Sequence, residues 1–85
     1  MTPAEADRRR EQREAARAKL AAQFDPTRPT NTVESAAAYA GVSRWLAYRE
    51  ARSGAWPAWR CGSRLMVKTR PFLRMIGGLD DDAAR

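Results

Sequence analysis

The 85-residue chain contains no histidine and a single cysteine. One cysteine cannot close an internal disulfide. With no histidine and no second thiol, Cys61 lacks the partners of a nucleophile or a metal ligand, and a buried thiol in a strand is its expected state. No acid–base or nucleophilic constellation is visible, so neither catalysis nor a cofactor or metal is expected. Long apolar runs are missing as well: none approaches membrane-spanning length, and the N-terminus is charged where a signal peptide is hydrophobic. A cytoplasmic protein without a membrane partner is expected. A chain of 85 residues allows one domain, whose elements share one small core.

Acid is scarce where base is plentiful. Residues 1–25 carry six basic and five acidic side chains, whereas residues 26–79 carry nine basic side chains and only Glu34 and Glu50 as acids. With sixteen Lys and Arg against ten Asp and Glu, the net charge is +6. Such an imbalance attracts polyanions, nucleic acid first among them, and says nothing about fold. The end of the chain, residues 79–85, is acidic and follows Gly77-Gly78, which predicts a frayed tail.

Four helices and a hairpin are legible along the chain. In "TPAEADRRREQREAARAKLAAQF", Thr2, Pro3 and Glu5 form a capping-box pattern, and Glu5 with Arg9 and Asp7 with Arg10 are spaced to pair. Its only large apolar residues are Leu20 and Phe24, so residues 1–25 are read as a charged helical arm, either a solvated helix or one resting on DNA or a neighbouring protomer. Two prolines mark residues 26–31 as a linker. Thr32 caps a helix from Val33 to about Ala40, with Val33, Ala36, Ala37 and Ala40 on its apolar face. Gly41 ends that helix, Val42 anchors a corner, and Ser43 caps a second helix that runs to Gly54. Two short helices around such a corner describe a helix-turn-helix, the unit that lays its second helix in a major groove.

On this second helix Leu46, Ala47 and Ala51 face the first, which leaves Arg44, Trp45, Tyr48, Arg49 and Arg52 outside. Arginine reaches guanine edges or clamps phosphates, and aromatic rings meet thymine methyls or sugars. Trp45 and Tyr48 have a second reading as filling for a core made thin by alanine, and Arg52 a second reading as a partner of the helix dipole. "AWPAWRCGSRLMVK" then reads as a β-hairpin turning at Gly62-Ser63, with Arg60 and Arg64 flanking the turn and Lys68 beyond it. A basic hairpin beside a recognition helix suits a wing on the backbone or minor groove, though solvation alone also explains its arginines. "TRPFLRMIGG" closes the core, with Thr69 as cap and Pro71 in the first turn.

From Thr32 to Ile76 the chain resembles the excisionase-like helix-turn-helix family, relatives of the MerR-type winged helix. The resemblance lies in "TVESAAAYAGVSR", Tyr48-Arg49, "RSG" at Arg52 to Gly54, Pro57, Arg60, Gly62 and Arg64, followed by an apolar strand and a closing helix. It implies a fold that is mainly α with a small β-hairpin: a winged helix-turn-helix over residues 32–78, preceded by the N-terminal helical arm. It also implies that Ser43, Arg44, Trp45, Arg49, Arg60, Ser63 and Arg64 meet double-stranded DNA. The implied activity is that of an excisionase, or recombination directionality factor. Such a protein binds and bends attachment-site DNA, associates head to tail and biases an integrase toward excision, here at the nucleoid of a bacterial host. A small transcriptional regulator of promoter DNA is the alternative within the same fold. A basic RNA-binding or protein-interaction adaptor is the alternative outside it, supported by three tryptophans. The chain departs from the family pattern at Glu50-Ala51, where a large aliphatic is usual, with Trp56 and Trp59 available to restore volume, and at Trp45-Leu46, where small polar residues are usual.

Overall fold

The computed structural model describes the backbone of residues 2–84 and the side chains of residues 2–77. Its first helix, α1 (Pro3–Gln23), starts as the sequence dictates: the Glu5 amide donates to Thr2 Oγ1 at 3.2 Å and the Thr2 amide to Glu5 Oε2 at 3.5 Å. The expected Glu5–Arg9 and Asp7–Arg10 ion pairs do not form. Pairs of this kind on an exposed helix contribute only about 0.3–0.5 kcal/mol, too little to fix long side chains. No residue of α1 is buried, but its C-cap, Phe24, is: the ring stacks on Tyr39 at 4.4 Å and lies 5.9 Å from Phe72. One aromatic at its foot therefore anchors the arm on the domain.

The linker expected at residues 26–31 ends in sheet, at Thr30 and Asn31. Strand β1 (Thr30–Thr32) pairs antiparallel with β3 (Arg64–Lys68), which also pairs with β2 (Ala58–Cys61), giving the order β1-β3-β2. Asn31 holds this arrangement. Its Oδ1 accepts from the Asp25 amide at 2.8 Å, and its Nδ2 donates to the Asp25 carbonyl at 2.9 Å and to Thr69 Oγ1 at 2.7 Å. Three residues with no alternating pattern carry no strand signal; the pairing comes from β3 and from this buried amide.

Helices α2 (Val33–Ala40) and α3 (Arg44–Ser53) follow the local signals. Thr32 accepts from the Ser35 amide at 3.1 Å and Ser43 from the Leu46 amide at 3.1 Å. Between them Gly41 adopts φ 78°, and the Val42 amide reaches back to the Ala37 carbonyl at 3.0 Å, closing the corner as a helix C-cap. Ala36, Ala37, Ala47 and Ala51 are buried where the two helices meet, whereas Leu46 is half-buried and outside the core.

The register sorts the sheet's two faces. Asn31, Val67 and Ala58 stand side by side on the face carrying the core, with Leu65 and Arg60 further along it, while Thr32, Met66 and Trp59 lie on the opposite face with Cys61 and Arg64. Cys61 is exposed rather than buried, because it ends β2 opposite Arg64 on the face turned away from the core. Trp56 restores volume as expected, 4.9 Å from Phe72, but Trp59 does not: it is 49% exposed on the outer face. The last helix, α4 (Thr69–Ala84), buries Phe72 and runs on through Gly77-Gly78 instead of fraying there. Glycine costs a helix interior only about 1 kcal/mol, which weakens but does not break it. Thr69 is the first residue of this helix rather than its cap, with its hydroxyl taken by Asn31.

Candidate nucleic-acid interface

Burying Ala47 and Ala51 against α2 fixes the rotation of α3 and turns Arg44, Trp45, Arg49 and Arg52 outward. Trp45 is 70% exposed, which excludes its core reading. Each outward aromatic carries an arginine. The Arg49 guanidinium lies 4.9 Å from the Trp45 ring centre, and that of Arg52 lies 5.5 Å from the Tyr48 ring. Stacking of this kind orders long side chains while leaving their donors toward solvent. Arg49 also bonds Glu50 at 3.2 Å through Nη2. Around Trp45, Tyr48, Arg49 and Arg52 lies a shallow hollow of about 400 Å³.

A second hollow, of about 310 Å³, lies between α3 and the hairpin, and its walls include Glu34, Tyr48, Arg52, Arg60, Ser63 and Arg64. The two hollows share Tyr48 and Arg52, so the outward face of α3 continues into the hairpin tip. Gly62, at φ 62°, makes the turn that presents Ser63 there. Ser43 is exposed at the start of α3, its hydroxyl oxygen engaged as the cap. The structure thus brings Trp45, Tyr48, Arg49, Arg52, Arg60, Ser63 and Arg64 together. It does not bring Lys68 to them: that residue sits at the hairpin's base, about 13 Å along β3 from Arg64 at the usual strand rise.

Tyr48 is half-buried, and its hydroxyl donates to Glu34 Oε1. That bond, with the loss of hydration and the adjacent negative charge, pushes the phenol pKa above its ordinary value. The folded chain therefore keeps a proton that an unfolded tyrosine releases near pH 10, so this contribution to stability is complete below that pH and is lost above it. Both acids of residues 26–79 are thus engaged, Glu34 by Tyr48 and Glu50 by Arg49. The pairing of Glu34 leaves no sequence signal, since the partners are fourteen residues apart on different helices.

A third hollow, of about 460 Å³, lies along α1 and places Arg13 and Arg17 in one groove with Glu34, Val42 and Arg44. Arg44 therefore stands between the arm and the face of α3. Among the described residues no cluster of His, Cys, Asp and Glu is placed to hold a metal ion, and no helix is long and apolar enough to cross a membrane. No protein-family model, no curated protein and no solved structure matches the chain.

Proposed function

We propose that the chain is a winged helix-turn-helix protein that binds double-stranded DNA sequence-specifically, with α3 in the major groove and the β2–β3 hairpin as the wing. The observation that carries this reading is the continuity of the two hollows: Arg60, Ser63 and Arg64 of the hairpin tip line one hollow with Tyr48 and Arg52, and those two line the next with Trp45 and Arg49. In the order of its elements, a helix and a short strand precede the two-helix corner and a hairpin follows it, as a wing requires. The division of labour follows from chemistry. Arg49, held over Trp45 near the middle of α3, reads base edges, while Arg60 and Arg64 take phosphates beside the groove.

The narrower role is that of an excisionase. It rests on the resemblance of Thr32–Ile76 to that family and on the small size of the domain. Copies lying head to tail would bend attachment-site DNA, at a cost of about 1–6 kcal/mol offset by protein contacts, and so bias a partner integrase toward excision. The DNA-binding claim is tested by titrating a duplex at several salt concentrations. With about five phosphates engaged, log affinity is expected to fall with log salt at a slope of about −4.5. A flat response would overturn the proposal.

A further inference from the structure

The arm carries a pattern that its near-neutral charge hides. Along α1, Arg9, Arg13 and Arg17 recur every fourth residue and share a side with Leu20 and the anchoring Phe24; Glu5, the capping residue, begins the same row, while Asp7, Glu11 and Glu14 lie about a third of a turn away. Arg8, in the same basic run, falls off the arginine stripe. None of the three stripe arginines has a carboxylate within ion-pair distance among the described residues. Their side of the helix is also continuous with the domain. A hollow of about 530 Å³ runs past Arg9, Arg13 and Ala16, and the groove of about 460 Å³ takes up Arg13 and Ala16 again before reaching Arg44. The one acid in that groove, Glu34, already accepts the Tyr48 hydroxyl.

Length decides what this stripe is for. The 21 residues of α1 extend about 31 Å, whereas the 8 residues of α2, on which it packs, extend about 12 Å. The first turns of α1, before Arg13, therefore project past its support. A projecting helix with nothing apolar to bury gains little from the core, yet it holds three unpaired guanidiniums in line with Arg44.

We infer that α1 is a second DNA-contacting element: the Arg9–Arg13–Arg17 stripe lies along the phosphate backbone flanking the site taken by α3 and the wing. This rests on the DNA-binding reading above and extends it. The stripe covers about 12 Å of helix axis, which corresponds to about 3–4 base pairs of backbone. The acidic row lies about a third of a turn round the helix from the arginines, so repulsion of the carboxylates favours approach by the arginine side.

The test compares the full-length protein with its Arg9→Ala/Arg13→Ala/Arg17→Ala variant. Alanine favours helix at all three exposed positions, and circular dichroism verifies that α1 persists. Duplex binding is followed against salt and by backbone footprinting. The variant is expected to bind every sequence more weakly by the same factor, to lose about 2.7 from the salt slope, and to protect about 3–4 fewer base pairs on one flank only. An unchanged slope and footprint in a variant that still binds would overturn the arm's role and leave the α3 and wing reading standing. Failure of the unaltered protein to bind any duplex would overturn both.

Discussion

Replacing Arg49 by alanine is expected to weaken binding to the preferred duplex by about 1–3 kcal/mol and to narrow the gap between preferred and unrelated sequences. Two neighbours make Arg49 the arginine with most to lose. Trp45 holds the guanidinium from below at 4.9 Å, so the side chain meets a base with part of its freedom already surrendered. Glu50 bonds the same group at 3.2 Å, and truncation would release that carboxylate on the DNA side. Arg64→Ala is the contrasting variant. At the hairpin tip it should weaken all sequences alike and take about 0.9 from the salt slope, the signature of a single phosphate contact. Competition binding with preferred and scrambled duplexes checks both. Equal, sequence-independent losses in the two variants would mean that α3 does not read bases.

Phe72→Ala should cost about 3–5 kcal/mol of folding stability. The side chain is fully buried and lies against Phe24 and Trp56, so it joins the arm's foot, α4 and the segment between α3 and β2. Few other large side chains share that work, since among the described residues four of the eight buried apolar ones are alanines. A domain of this size has about 4–13 kcal/mol in total, so the variant should lose a large share of its stability. Denaturant titration measures it, with Trp45→Ala alongside. Trp45 is larger than Phe72 but 70% exposed, and its loss should change stability by no more than about 0.5 kcal/mol. A Phe72→Ala cost below that of Trp45→Ala would contradict the packing described.

What the sequence made legible was local. Thr2, Thr32 and Ser43 cap helices, and Gly41, Gly54 and Gly62 turn the chain, because each acts within three or four residues of itself. What stayed hidden depended on distant partners. Phe24 looks like the last residue of an arm until Phe72, 48 positions later, is placed beside it. Asn31 looks like linker until its amide is seen bonding Asp25 and Thr69. The outward arginines of α3 and the hairpin were legible, since removing Ala47 and Ala51 to the core leaves them nowhere else to point. Trp45 and Trp59, open between core and surface, fall on the surface, and Trp56 falls inward. Cys61 lies on the outer face, because the face it takes is set by the pairing of β2 with β3 rather than by its own strand. Which side of α1 turns toward the domain depends on the burial of Phe24 against Tyr39 and Phe72, so the place of its arginine row was not legible in the arm alone.

The central claim is that α3 and the hairpin tip meet the same duplex together. Chemical-shift mapping of the isotope-labelled protein during a duplex titration tests it most directly. Signals from Arg44 to Arg52 and from Arg60 to Arg64 are expected to move in concert, while that of Trp59 on the outer face of the sheet stays still. Shifts that gather on Trp59, with α3 and the hairpin tip unmoved, would contradict it.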